Sequence, residues 1–297
     1  MAISFFKNNE NKISLEEFID FATKKIRYDD EDSLLECSDH LLWLANNKDF
    51  FVDFLNKNLS KNLSKFQINT NYNEQSFMIY ECSTFYIRVT FWPKKTINPL
   101  IKEQQDITFS YDNAHDHNFS LLTAGYKGEG YWTKLWEYDH ESVIGYPGEK
   151  VKIKFLEETN LCDGKAIYYR PSKDIHLQLP PKEEDSIAIN IILRSQKQFE
   201  KTQFDFDIQN STIKNVIYGS AISKFGLFKL TSLVHNEITL DLLKEIIHEH
   251  KIPLVRQEAL KNFFKIKPTT NIDSIISPKD DILKKYYRNF IYENELI

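Results

Sequence analysis

The sequence predicts a mainly β fold, an antiparallel barrel or sandwich with helical segments at both ends, and three observations carry that expectation. Runs rich in β-branched and aromatic residues recur at intervals of roughly ten residues from FMIYE to TQFDFDI. Six of the eight glycines stand at positions 125, 128, 130, 145, 148 and 164, which concentrates tight turns among those runs. Helical periodicity is confined to the two ends of the chain.

Each element follows from its residues. From about 13 to 61, Ser14 and Glu17 stand in capping-box relation and Leu34, Leu35, Leu41, Leu42 and Leu44 recur at helical spacing, which predicts two or three helices. From about Phe66 the texture turns to strands: FMIYE, then FYIRVTFW ended by Trp92-Pro93, then YWTKLWEY, VKIKFLEE, KAIYYR, SIAINIILRS and TQFDFDI. The polar stretches 94–105 and 195–202 read as loops. Gly125, Gly128 and Gly130 read as a hairpin turn, since no helix follows them to complete a phosphate cradle. Beyond Thr239, Leu240, Leu243, Ile246 and Ile247 mark one helical stripe, and Ser277-Pro278 reads as an N-cap and first helical residue. PLVRQEALKNFF is similar to one helix of a HEAT-type repeat, but with no visible period it is ordinary packing. The expected organisation is a helical segment over 1–62, a β-barrel over 63–236 and a helical segment over 237–297.

Composition narrows the function classes. The 38 basic and 43 acidic residues leave a net charge of −5, and no basic block interleaved with aromatics offers the footprint that nucleic acid requires. No apolar run approaches the ~20 residues that span a bilayer, and the first residues lack a charged segment leading into an apolar one. Neither nucleic acid nor membrane is expected as a partner, and a cytoplasmic location is. Cys37, Cys82 and Cys162 imply neither a disulfide framework nor a cysteine-rich zinc site; Cys162, beside Asp163-Gly164, reads as a turn residue.

The histidines carry the chemistry. YDNAHDHNFS contains His115-Asp116-His117. In an extended chain, side chains two apart leave the same face about 7 Å apart, so both imidazoles can converge on one ion while Asp116 points away. His248 and His250 in IIHEHKI show the same spacing inside an expected helix, where positions two apart stand about 200° around the axis and do not share an ion. His40, among leucines, reads as a packed core histidine, and His140 and His235 as surface or loop residues. Tyr131, Trp132, Trp136 and Tyr138 read first as barrel wall and second as the lining of a ligand pocket.

These residues resemble the cupin superfamily, whose motifs run G-x5-H-x-H-x3,4-E-x6-G and G-x5-P-x-G-x2-H-x3-N. Counted from His117, the family's glutamate falls at Leu121 and its closing glycine at Gly128. In the second motif Gly164 precedes Pro171 with one extra residue, His176 follows Pro171 at the family's spacing, Lys173 replaces the inner glycine and Pro180 the asparagine. Within the superfamily the pattern of His115, His117 and His176 without a carboxylate is similar to cysteine dioxygenase and other thiol dioxygenases, which also read as a strand ending in Trp followed by HDH. The resemblance covers roughly residues 83–195. Asn190, Ile192 and Arg194 stand where those enzymes carry a Ser-x-His-x-Tyr arrangement.

The resemblance implies a cupin jelly roll, a double-stranded β-helix, with one metal ion, iron(II) before other divalent transition metals, held by His115, His117 and His176. It implies an oxidoreductase, a non-heme dioxygenase-like enzyme whose partners are dioxygen and a small amino-acid-like or thiol-bearing substrate. Arg88, Arg170 and Arg194 are the candidates to orient that substrate, with Tyr131 beside them. Glu129 or Glu137 joining the ion, as in a two-histidine, one-carboxylate site, stays open. Two other readings stand beside the first: a metal-containing cupin that binds a ligand or partner without turnover, with the C-terminal helices as its interaction surface, and a zinc or manganese cupin isomerase or hydrolase.

Overall fold

The computed structural model describes residues 3–6, 10–61, 75–217 and 222–292. The expected boundary between the first helices and the strands, near 62, falls outside the described residues. The chain divides into two compact units, Met1–Tyr138 with Ile153–Lys197 and Asp139–Lys152 with Gln198–Ile297.

The first unit opens with strand β1 (Ile3–Phe6) and four helices where two or three were expected: α1 (Leu15–Lys25), α2 (Glu31–Leu35), α3 (Ser38–Asn46) and α4 (Phe50–Lys61). The extra one is the five-residue α2, too short to show a period, which starts where the Asp30 carboxylate accepts from Ser33 N at 3.2 Å. At α1 the capping box is formed: Glu17 N donates to Ser14 Oγ (3.1 Å) and Ser14 N to Glu17 Oε2 (2.7 Å).

Strands β2 (Ser76–Glu81) and β3 (Phe85–Trp92) follow, then helix α5 (Pro99–Phe109), which corrects the loop expected over 94–105. Asn98 caps α5 through Leu100 N at 3.0 Å, and Pro99 fills the first turn, where its missing N–H costs nothing. None of its residues is buried, so no apolar stripe announces it.

Then come β4 (His115–Asp116), β5 (Leu121–Lys127), β6 (Trp132–Glu137), β7 (Lys154–Asn160), β8 (Lys165–Tyr169), β9 (Asp174–Leu179) and β10 (Ser186–Leu193). One antiparallel sheet runs β1-β8-β5-β10-β3-β2, and in the other β4, β9, β6 and β7 are successive neighbours. From β3 to β10, strands therefore pair third with last and fifth with eighth in one sheet, while fourth pairs with ninth and sixth with ninth and seventh in the other. This is the connectivity of a double-stranded β-helix, two interleaved Greek keys. The strands β5 and β6 lie in different sheets, so the segment Gly125–Gly130 is a corner between sheets and not the expected hairpin. Gly128 and Gly130 take φ of 84° and 82°, and a Cβ on Gly130 would strike the backbone carbonyl of Leu161.

Helices and barrel share one core. On the first sheet Ile87, Val89, Leu122, Ala124, Ile189 and Ile191 pack outward onto Phe18, Leu34, Leu41 and Leu44. The opposite face, with Trp92, Leu121, Ile167, Tyr169, Ala188 and Ile192, fills the barrel interior with Leu135 of the second sheet and Tyr131 just before β6. Burial on both faces explains why SIAINIIL reads as an almost unbroken apolar run. The second sheet ends in β7, whose KFLEETN is half-exposed and charged, as suits an edge strand.

The expected loop over 195–202 contains a single helical turn, α6 (Lys197–Glu200), at which the first unit ends and the second resumes. A hairpin of β11 (Gln203–Asp207) and β12 (Thr212–Ile217) precedes helices α7 (Ile222–Thr231), α8 (Glu237–Glu249), α9 (Pro253–Ile266) and α10 (Asp281–Tyr286). Leu240, Leu243 and Ile247 of α8 form the core of the second unit with Leu260, Phe263 and Phe264 of α9. α10 is capped by Asp280, through Leu283 N at 3.1 Å, and not by Ser277, because the helix begins at Asp281 and not at Pro278; the Asp280 carboxylate also pairs with Arg256.

Candidate metal centre

Two local rules and one tertiary pairing assemble the centre. The period of two places His115 and His117 on one side of the chain and Asp116 on the other. Asp116 is fully buried, and its carboxylate accepts the Tyr138 hydroxyl at 2.6 Å. The register of β4 against β9 then sets His115 directly opposite His176 and Asp116 opposite Ile175. Cross-strand partners share a face, so all three rings project into the barrel. Their centroids lie 5.1 Å (115–117), 4.3 Å (115–176) and 4.6 Å (117–176) apart, and one nitrogen of each lies within 4.8 Å of the others.

The turn before His176 holds β9 in place. Arg170 N donates to Asp174 Oδ2 (2.7 Å), and the Arg170 guanidinium binds the same carboxylate and Glu137 Oε2 (3.1 Å). Ser172 takes the left-handed conformation, φ 52°, and its N–H donates to His117 O at 2.6 Å. The glycine absent at Lys173 is thus not needed there, because the left-handed residue of this turn is one position earlier.

The donor set fits a divalent transition metal. Two nitrogens about 2.1 Å from one ion and at right angles to each other sit about 3.0 Å apart, and Nε2 of His117 and of His176 are separated by 3.0 Å. Burial, then the neighbouring His115, hold both rings well below the ordinary histidine pKa, with Arg88 adding to the effect at His117 and His117 at His176. Neutral imidazoles are the form that ligates. The ring of His115 is steered by Nδ1 against Asn113 O at 3.0 Å, and His176 packs on Tyr169, centroids 4.7 Å apart.

Among the described residues no carboxylate joins the three histidines. Glu129 accepts instead from the backbone N–H groups of Lys182 and Glu183, the latter at 2.6 Å, and Glu137 is held by Arg170 and Lys154.

A cavity of 340 Å³ opens on His115 and His117. Arg88 and Tyr131 are in its wall with Gln75, Thr90, Asn190 and Gln178. Thr90 Oγ1 accepts from Asn190 Nδ2 (3.0 Å) and from Trp92 Nε1 (3.1 Å). Tyr131 shares a hydrogen bond with Tyr169, hydroxyl to hydroxyl at 3.1 Å, and burial pushes its pKa up to about 12. Arg170 and Arg194 are placed elsewhere: Arg170 in the turn described above, Arg194 on Glu81 (2.8 Å) and over the Tyr86 ring. Of the four aromatics weighed as pocket lining, Tyr131 is in the wall; Trp132 lies under Lys182, Trp136 edge-on to Phe155, and Tyr138 on Asp116.

Sequence reasoning missed Gln178, whose amide touches Nδ1 of His176. The signal was present: DIHLQL between Pro171 and Pro180 is a strand, and His176-x-Gln178 has the same-face spacing that marks His115-x-His117. Thr90 was equally legible, two residues from Arg88 on β3. The other histidines are apart from the centre: His40 is half-buried and stacks on Phe21 at 3.4 Å, His140 packs on Phe204, His235 is exposed, and His248 lies in α8 with His250 as its C-cap.

No family model matches this chain, and no curated protein does. Solved structures to which it is similar include a cupin domain from Bordetella pertussis (8% identity, 42% of this chain and 99% of that one, TM-score 0.22). Others are hydroquinone 1,2-dioxygenase from Sphingomonas sp. TTNP3 (6%, 46% and 77%, 0.28) and RmlC from Streptococcus suis (9%, 37% and 43%, 0.21), of which this chain spans less than half. Likenesses this weak carry no argument, and the fold assignment rests on the strand connections of this chain.

Proposed function

We propose that this chain is a cupin oxygenase dependent on iron(II), acting on a small anionic substrate of amino-acid-like or thiol-bearing type. The observation that carries the reading is the meeting of three histidines with one cavity whose described walls hold a guanidinium, Arg88, and no carboxylate. Iron(II) held by three neutral ligands keeps its full charge and open coordination positions, at which an anionic donor and dioxygen can be brought together.

The chain's own residues do the rest. Arg88 offers a planar fork of donors suited to a carboxylate, and Thr90, Asn190 and Gln75 offer further hydrogen bonds along the same wall. Trp92, Tyr131 and Phe109 supply apolar surface that limits water. The Tyr131 hydroxyl stays protonated at neutral pH and is hydrogen-bonded to that of Tyr169.

The test is anaerobic loading with iron(II), followed by oxygen uptake with a panel of small thiols and amino acids. Uptake with at least one of them, raised KM in Arg88→Met and metal content unchanged in that variant are the expected results. Stoichiometric iron with no oxygen uptake across the panel would overturn turnover in favour of ligand binding, and preference for zinc or manganese would favour hydrolysis or isomerisation.

A further inference from the structure

We infer that Gln178 is a positioning residue whose side-chain amide decides which nitrogen of His176 faces the metal position. The inference rests on the metal reading above. Gln178 follows His176 by two residues on β9, so both enter the barrel interior. It is 6% exposed. Its backbone is fixed on both sides: Thr133 of β6 lies opposite in the ladder, and its carbonyl accepts from Asp112 N at 3.0 Å, just before the His115–His117 segment.

Two tautomers of His176 satisfy the contact with Gln178, and they differ in what Nε2 presents toward His117. In the first, the amide N–H donates to Nδ1 of His176, and Nε2–H of His176 donates to Nε2 of His117. In the second, the amide is turned end for end, its oxygen accepts Nδ1–H, and the Nε2 lone pairs of both rings face a common point. Only the second leaves His176 Nε2 able to ligate. A primary amide serves either arrangement, a carboxylate only the second, and an alkyl chain neither. Glutamine at this position therefore lets the ring switch tautomer as an ion enters, without leaving a buried group unpaired.

The test uses the full metal-free chain, native and as Gln178→Leu, Gln178→Met and Gln178→Glu, each checked for folding by circular dichroism and thermal melting. Co(II) is titrated against a competing chelator and read by its visible absorption, and the His176 tautomer is read by long-range proton–nitrogen NMR of the Zn(II)-loaded protein. Expected are a loss of about 10–100-fold in Co(II) affinity for the leucine and methionine variants, and affinity equal to native or tighter for the glutamate variant. Alkyl variants that fold and bind within about twofold of native, or a glutamate variant as weak as they are, would overturn the inference. A native chain that takes up no Co(II) would remove the metal reading and this inference together; native uptake with unchanged alkyl variants removes the inference alone.

Discussion

Asp174→Ala is the substitution that separates a structural arginine from a substrate-binding one. Asp174 has a fully buried side chain and carries three donors from Arg170: the backbone N–H at 2.7 Å, Nε at 3.0 Å and the terminal nitrogen. Removing one partner of a buried pair leaves the other's charge uncompensated and costs about 3–5 kcal/mol. Here Glu137 still holds Arg170 at 3.1 Å and the guanidinium is 17% exposed, which places the loss near the lower end, about 3 kcal/mol. For a unit of about 150–250 residues that is a fall in Tm of roughly 6–12 °C. The assay is thermal or urea unfolding of metal-free protein, with Arg170→Ala and the double variant completing a cycle. A coupling energy of about 1–3 kcal/mol is expected between the two sites. A Tm within about 2 °C of native for Asp174→Ala would refute the argument that this turn anchors β9, and would return Arg170 to the substrate candidates.

Three further outcomes follow from the same geometry. His176→Ala abolishes stoichiometric metal uptake measured by elemental analysis, and unchanged metal content sinks the ligand assignment. Gly130→Ala combines a left-handed backbone, costing about 1–2 kcal/mol for an L-residue, with a Cβ driven into the Leu161 carbonyl, so the urea midpoint drops sharply; a native-like midpoint means the corner relaxes freely. Metal-free protein loses stability as pH falls below about 6.5, because the unfolded chain takes protons that buried His117 and His176, held below that value, refuse. Urea titrations from pH 7.5 to 5 check the slope, which flattens in a His117→Phe/His176→Leu variant.

The parts of this protein that depend on neighbours in sequence were open to reading. Alternation and turn residues mark most strands, and the capping box of Ser14 and Glu17 marks α1, because each is decided within a few residues. The same holds for His115 and His117, which share a face by the period of an extended chain. Where the local signal was weak, the reading failed: α5 buries nothing and so shows no stripe. Gly125–Gly130 looks like a hairpin because a turn's chemistry does not state which sheet the next strand joins.

A β-rich chain between helical ends, and a histidine pair suited to one ion, are legible in the order of residues alone. It takes the folded chain to set His176 across the ladder from His115, to engage Glu129 and Glu137 elsewhere, and to bring Arg88 rather than Arg170 or Arg194 to the cavity. The reason is physical: register between distant strands is set by the whole buried face they share, and no short window of sequence contains that face.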